Sequence, residues 1–128
     1  MAGSKLTPET EIYLVESYEF LDQIEADLIN LEMSSDKRDL LEDLFRHIHT
    51  IKGNAGFLGF QTIELLCHKN ESLLSKLKEK RGSIDSGTVD ILLEYVDLAR
   101  DLLRSVEETG KEKSLDLSSH FSRLEKLL

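Results

Sequence analysis

The residues best suited to do chemistry lie in one short segment, His47-Ile48-His49-Thr50-Ile51-Lys52-Gly53-Asn54-Ala55-Gly56. On a helix that turns by about 100° per residue, His49, Gly53 and Gly56 share one face. His47 lies on the opposite flank of the same helix. Only His49 is therefore surrounded by positions that lack side chains.

Glycine within a helix costs about 1 kcal/mol relative to alanine, so Gly53 and Gly56 require a compensating reason. That reason is helix termination, tight helix packing or close approach by another molecule. An exposed imidazole with no bulk at i+4, and with the Lys52 ammonium group one turn away, suits attack on an incoming phosphoryl group.

Such an attack needs a neutral imidazole whose reactive nitrogen carries a free lone pair. An unperturbed histidine has a pKa near 6.5 and is mostly neutral at pH 7, and a carboxylate that accepts the other N–H would fix its tautomer. His68 and Glu71 are spaced i, i+3 on a later predicted helix and share a face. Glu71 is therefore the candidate carboxylate.

Five helices are predicted to position these residues. Apolar residues recur at spacings of three and four, and the single proline, Pro8, lies near the start of the chain. Thr7 is the preferred N-cap of the first helix, with Thr10 as the lesser candidate. The predicted helices run over Pro8–Leu31, roughly 37–54, Gln61–Lys80, from a cap at Asp85 or Ser86 to Thr109-Gly110, and Leu115–Leu128.

The breaks between these helices are also predicted from residue type. Met33-Ser34-Ser35-Asp36 separates the first two helices, a turn falls between Gly56 and Gly59, and Arg81-Gly82 ends the third helix. Connections of roughly three to ten residues favour antiparallel neighbours. The predicted fold class is all-α, an antiparallel up-and-down four-helix bundle with an additional shorter C-terminal fifth helix.

Length and charge exclude several classes of function. A chain of 128 residues is enough for one compact domain, 1–128, and too short for two. With 25 acidic and 16 basic residues the net charge is −9, which argues against nucleic acid and anionic membranes as partners. No segment approaches the roughly 20 apolar residues of a membrane helix, and the start lacks the apolar core of a signal peptide. We therefore expect a cytoplasmic location.

Other conspicuous residues receive structural interpretations. Cys67, the single cysteine, is predicted to fill space in the core. A metal site built from His47, His49, Cys67 and His68 is not favoured, because adjacent Cys67 and His68 point about 100° apart on a helix. His47 is interpreted as a surface or flank residue.

Two further interpretations concern the ends of the bundle. His120 is predicted to be solvated. Phe57, Leu58 and Phe60 are predicted to be core residues that close one end of the bundle, although Phe57 could also contact a partner.

The segment from His49 to Phe60, HTIKGNAGFLGF, resembles the histidine box of the phosphotransfer (HPt) domain at the start of CheA-type chemotaxis histidine kinases. Leu66-Cys67-His68-Lys69-Asn70-Glu71 resembles the histidine and glutamate that this family carries three residues apart. The H-x-x-K-G-x-x-G-x-x-G-F string is specific in combination with H-x-x-E, whereas either half alone is not. The resemblance covers nearly the whole chain in helix order, including the fifth helix.

The resemblance implies a role for each matching residue. His49 would accept the γ-phosphoryl group of ATP from a separate kinase domain, and Lys52 would lie beside the phosphate. Gly53 would leave room for the kinase and then for a response regulator. Glu71 would hydrogen-bond Nδ1 of His49 and leave Nε2 as the nucleophile, with His68 joining the polar network.

The resemblance also implies what surrounds the domain. The domain itself would hold no cofactor, since ATP and Mg²⁺ would be used by the partner kinase domain. Its partners would be the ATP-binding domain of a histidine kinase and the receiver domain of a response regulator, and it would be monomeric. We expect the chain to be the N-terminal part of a longer histidine kinase, which would be an enzyme with this domain as its substrate.

One position departs from the family. At His47 these proteins more often carry a small or apolar residue, and the helix geometry favours His49 over His47 as the acceptor. Two alternatives remain open: a free-standing phosphotransfer protein that shuttles phosphate between receiver domains, and a structural helical adaptor in which the histidines are incidental.

Overall fold

The computed structural model describes residues 6–31, 37–79 and 84–128, and within these ranges the regular structure is entirely helical. The predicted all-α class and the order of five helices are confirmed. The helices are α1 (Pro8–Leu31), α2 (Lys37–Leu58), α3 (Gln61–Glu79), α4 (Ser86–Thr109) and α5 (Ser118–Leu127).

The start of α1 follows the sequence prediction. Thr7 Oγ1 accepts a hydrogen bond from the backbone N–H of Thr10 at 3.1 Å, so Thr7 is the N-cap. The helix then spans Pro8–Leu31, the predicted range. The predicted break at Met33–Asp36 lies outside the described residues.

The predicted end of α2 at residue 54 is wrong, because the helix continues to Leu58. Its end is set by Gly59, whose φ of 86° is left-handed. The N–H of Phe60 bonds to the carbonyl of Ala55 at 2.8 Å, and that of Gly59 bonds to the carbonyl of Gly56 at 3.3 Å. These are the two hydrogen bonds of a Schellman motif, so only one of the glycines in this segment terminates the helix.

α3 begins at Gln61, as predicted, and is described as far as Glu79. Its predicted last residue, Lys80, and the predicted stop at Arg81-Gly82 lie outside the described residues. Two backbone N–H groups in the first turn of α3 donate hydrogen bonds to a residue that is remote in sequence. The carboxylate of Glu112, beyond the end of α4, accepts from Thr62 at 3.2 Å and from Ile63 at 2.6 Å.

The prediction for α4 is confirmed at both ends. Asp85 is the N-cap and accepts from the N–H of Thr88 at 2.8 Å, and Gly110 adopts the left-handed conformation at the C-cap. For α5, the predicted start at Leu115 is wrong and the helix begins at Ser118. Asp116 explains the later start, since its side chain accepts from the backbone N–H of Ser118 and holds a local turn.

The helices enclose one apolar core. α1 packs against α2 and α4, α3 packs against the same two helices, and α5 packs on α3 and α4. Each fully buried Leu or Ile stabilises the fold by roughly 1.5–3 kcal/mol. The largest fully buried apolar side chains are Leu21, Ile24, Leu28, Leu31, Leu44, Ile48, Ile51, Ile63, Leu66, Leu73, Leu74 and Tyr95.

Cys67 is part of this core, as predicted. Its Sγ lies 3.2 Å from the hydroxyl of Tyr95, and burial raises the pKa of the thiol to about 12. The thiol therefore stays protonated. None of the helices in the part of the chain that the structure describes is long and apolar enough to cross a membrane.

The prediction that His120 is solvated is wrong: the residue is 2% exposed. The Asn70 amide nitrogen donates to the carbonyl of Leu66 and lies 3.0 Å from Nε2 of His120, so Nε2 accepts and Nδ1 carries the proton. Nδ1 lies 2.7 Å from Glu94. His120 is four residues before the buried Leu124 and on the same face, so helix position outweighs polarity here.

The buried histidine makes stability depend on pH. Burial lowers the pKa of His120 although Glu94 opposes the shift, so the unfolded chain binds the proton more tightly. The free energy of unfolding should then fall as pH drops below about 6.5, until the pKa of the folded state is reached. Burial also lowers the pKa of His47, which adds to the same slope.

We expect His120→Gln to reduce the pH slope of the free energy of unfolding, measured by urea denaturation from about pH 7.5 to 5. His68→Gln is the matched control, because it removes an exposed histidine of α3, and it should keep the wild-type slope. An undiminished slope in His120→Gln would contradict the assigned contribution of His120.

Candidate functional site

His49 projects from α2 with 61% of its side chain exposed. Because α2 remains helical to Leu58, Gly53 follows His49 by one turn on the same face. A Cβ atom at Gly53 would meet nothing within 4 Å. The space beside the His49 ring is therefore open, as the glycine pattern predicts.

The His49 ring is bound by a carboxylate of α3. Nδ1 of His49 lies 2.5 Å from Oε2 of Glu71, and the Lys52 Nζ donates to Oε1 of the same carboxylate at 2.6 Å. The Glu71 side chain is only 11% exposed, and the Lys52 side chain is 20% exposed. The structure thus brings together three residues that the sequence analysis assigned to one site.

Electrostatics fix the proton in this cluster. Burial alone raises the pKa of the Glu71 carboxyl, but the hydrogen bonds from Lys52 and His49 outweigh it and hold that pKa below its usual value. Glu71 is consequently ionised near pH 7 and can only accept hydrogen bonds. Nδ1 of His49 therefore carries the proton and donates to Glu71.

This tautomer leaves the other ring nitrogen of His49 with a free lone pair. Nε2 makes no hydrogen bond to any residue in the described ranges, and the ring is mostly exposed. A neutral imidazole held in this way is a nitrogen nucleophile that an external electrophile can reach.

His47 occupies a different environment although it lies only two residues away. Its ring is half-buried and stacks on Phe20 of α1, with the ring centroids 5.1 Å apart. Burial and the neighbouring Arg46 lower its pKa. This agrees with the prediction that His47 is a flank residue.

His68 is not brought into the Glu71 cluster. It is exposed, and its ring makes no hydrogen bond within the part of the chain that the structure describes. A separation of three residues still turns His68 by about 60° around α3 relative to Glu71, which places the imidazole on the outer surface.

The remaining residues of the glycine segment have separate environments. A Cβ at Gly56 would lie 2.6 Å from Oε2 of Glu64, so a carboxylate of α3 covers this position. The prediction that Phe57 is a core residue is wrong, because it is 85% exposed. Leu58 and Phe60 are partly buried against the core, in agreement with the prediction for them.

Phe57 is exposed because it follows Gly53 by one turn on the outward side of α2. It lines a shallow cleft of about 220 Å³ together with Ile12 of α1, which is 59% exposed. Large apolar side chains thus lie on the same end of the molecule as the open space at Gly53.

Sequence reasoning missed Phe45, a neighbour of His49, and Lys78, which contacts Phe45. The Phe45 ring is nearly parallel to the His49 ring, with an interplanar angle of 9° and a centroid separation of 5.9 Å. Nζ of Lys78 lies 4.4 Å from the centroid of Phe45. Two spacings in the sequence could have indicated these contacts. Phe45 and His49 are four residues apart and so share a face of α2. Lys78 is seven residues after Glu71, two turns further along α3.

The described side chains around the site do not include a group of potential metal ligands. Within residues 6–31, 37–79 and 84–128, no three His, Cys, Asp or Glu side chains are grouped so that they could hold a metal ion.

Comparison with known proteins identifies the family. The Hpt domain model matches residues 10–111, most of the chain, and the protein belongs to the Hpt domain family. The sensor histidine kinase CheAY of Helicobacter pylori is 33% identical over 102 residues, and the chemotaxis protein CheA of Treponema pallidum is 27% identical over 116 residues. These matches cover 80% and 91% of this chain but only 13% and 14% of the two relatives.

A solved structure has the same fold. The phosphorylated P1 domain of CheA3, in complex with CheY6 from R. sphaeroides, is 27% identical with a TM-score of 0.84. The match covers 92% of this chain and 93% of that one. The similarity to CheA-type HPt domains that the sequence motifs indicated is confirmed.

We expect Gly53→Ala to raise the free energy of unfolding by about 0.5–1 kcal/mol, because alanine favours the helix and its methyl group meets no atom. Gly59→Ala is the matched control and should lower it by about 1–2 kcal/mol, since its φ of 86° is left-handed. Urea denaturation measures both changes. A destabilised Gly53→Ala variant would show that the space beside His49 is not open.

Proposed function

We propose that the chain is a phosphorelay domain of chemotaxis signalling, with His49 as the phospho-acceptor. His49 receives the γ-phosphoryl group of ATP from the catalytic domain of a histidine kinase and passes it to an aspartate of a response regulator. One observation carries the proposal: Glu71 engages Nδ1 of an exposed His49, which leaves Nε2 free on a face that Gly53 keeps open.

The chemistry follows from the tautomer. The Nε2 lone pair of His49 attacks the γ-phosphorus of ATP, the N–P bond forms, and the bond to the β–γ bridging oxygen breaks as ADP leaves. In the second transfer an aspartate oxygen of the regulator attacks the same phosphorus, and the N–P electron pair returns to Nε2. The positive charge that the ring gains on phosphorylation is stabilised by the Glu71 carboxylate at Nδ1.

Lys52 has two roles in this proposal. Its ammonium group is one of the two partners that keep Glu71 ionised in a site with little solvent. It also lies one turn from His49 on the same helix, where it provides a point charge for phosphate oxygens. The open position at Gly53 allows both partner proteins to approach the ring.

The partners are argued from the relatives. The P1 domain of CheA3 was solved with CheY6, which supports a receiver domain as the acceptor for this chain. The chain spans 13% and 14% of the length of two CheA-type relatives, which supports its being one domain of a histidine protein kinase. In this proposal ATP and Mg²⁺ are bound by the kinase domain, and this domain is a monomeric substrate that holds no cofactor.

We also propose that α1–α4 form an antiparallel up-and-down bundle, with α5 added at its side. Contacts between neighbouring helices run in opposite chain order, which supports this arrangement. The paired contacts are Tyr13–Ile51 and Phe20–His47, Gly56–Glu64 and His49–Glu71, and Tyr18–Glu107 and Glu25–Arg100.

The acceptor assignment is tested with labelled ATP and the kinase region of a CheA-type protein. We expect His49→Gln to abolish acid-labile labelling, because no other imidazole in the described ranges combines an open face with a bonded Nδ1. His47→Gln is the matched control and should keep most of the label. Labelling that persists in His49→Gln would refute the assignment, and a chain that takes no label in wild-type form would be a structural adaptor.

The role of Glu71 is tested by Glu71→Gln, which removes the negative charge and keeps the size of the side chain. We expect Glu71→Gln to slow phosphorylation by roughly 10²–10⁴-fold, because an amide no longer stabilises the cationic ring or enforces the tautomer. The tautomer of His49, read from the ¹⁵N shifts of its ring, should become mixed. Wild-type rates in a folded variant would remove Glu71 from the mechanism.

A further inference from the structure

The hydrogen bond to Glu71 constrains the His49 ring incompletely. It restrains the position of Nδ1, but the plane of the ring can still tilt about that atom. The Nε2 lone pair lies in the ring plane, so a tilt redirects the attacking orbital. Group transfer is sensitive to such errors, since a displacement of about 1 Å can cost 10²-fold in rate. A second contact is needed to fix the plane.

Phe45 is placed to supply that contact. It precedes His49 by one turn of α2 on the same face, and the two rings are within 9° of parallel at a centroid separation of 5.9 Å. Rings at this distance attract one another in an offset arrangement. Phe45 is itself partly buried against the hydrophobic core, so its own ring is anchored.

Lys78 of α3 in turn contacts the Phe45 ring. Its Nζ lies 4.4 Å from the centroid of Phe45, a cation–π contact. Lys78 follows Glu71 by two turns of α3, so one face of α3 contacts both His49 and the ring that lies beside it. The Glu71–His49 and Lys78–Phe45 contacts therefore depend on the same packing of α2 against α3.

We propose that Phe45 is a positioning residue that, held by Lys78, fixes the plane of the His49 ring and so aims Nε2 at the phosphoryl group. The inference rests on the proposed function of His49 as the acceptor. Glu71 determines which nitrogen is free, and Phe45 determines the direction in which that nitrogen points.

The test compares the 128-residue chains carrying Phe45→Leu and Phe20→Leu as substrates of the kinase region of a CheA-type protein. Phe45→Leu should lower kcat for phosphorylation by about 10- to 100-fold with KM unchanged. Phe20→Leu removes the ring that stacks on His47 and should leave both constants at wild-type values. Phe45→Tyr keeps the aromatic ring and should restore kcat.

A second measurement needs no partner and no phosphate. The orientation of the His49 ring relative to Glu71, measured from NOEs of its Hδ2 and Hε1 protons, should change in Phe45→Leu and stay unchanged in Phe20→Leu. Lys78→Met leaves the core intact and removes the cation over Phe45, so it should give a smaller fall in kcat, about two- to fivefold, and a smaller change in the orientation of the His49 ring.

The outcomes separate this inference from the proposed function. Either a wild-type kcat or an unchanged His49 ring orientation in Phe45→Leu would overturn the positioning role, while loss of label in His49→Gln would keep the acceptor role intact. A raised KM with unchanged kcat in Phe45→Leu would show that Phe45 contacts the kinase and would equally overturn the proposal. If Lys78→Met matches wild type, Lys78 has no part in it.

Discussion

The site depends on one buried carboxylate with two partners. Glu71 is only 11% exposed, and an unpaired charge in such a place would be costly. Its two oxygens are bound separately by Nδ1 of His49 and Nζ of Lys52, both from α2. The pair of hydrogen bonds offsets the cost of burial, keeps Glu71 ionised and sets the proton on His49. The chemistry of an exposed ring is thus determined by a group that solvent barely reaches.

These contacts require one register between α2 and α3. Three residues of α3, each seven positions after the last, contact three residues of α2 in the reverse chain order. Together they form one row of contacts between the two helices. The row consists of Glu64 at Gly56, Glu71 at His49, and Lys78 at Phe45. Only Gly59 and Phe60 separate the two helices, and the left-handed Gly59 directs the chain straight back. A longer or looser turn would leave this register less restrained, so the turn is part of the site.

Much of this could be predicted from the sequence because it depends on local pattern. The helix spacing, the cap at Asp85 and the open face at His49 follow from residues a few positions apart. The burial of His120 could not, since it depends on Asn70 of α3 and Glu94 of α4, which are 50 and 26 residues away. The exposure of Phe57 likewise reflects how α2 is rotated against its neighbours, which residue type does not reveal. His68 matches the family motif, but its angular position on α3, about 60° from Glu71, exposes it to solvent.

Gly53 within α2 and Gly59 directly after α2 differ in what the fold requires of them. Gly59 has a left-handed backbone that its own helix end requires. Gly53 has an ordinary helical backbone, and none of the described residues fills the space where its side chain would be. Glycine there costs the helix about 1 kcal/mol, and no contact among the described residues compensates for that cost. The described part of the fold gains nothing from Gly53, whereas the proposed approach of partner proteins to His49 gives glycine at this position a role.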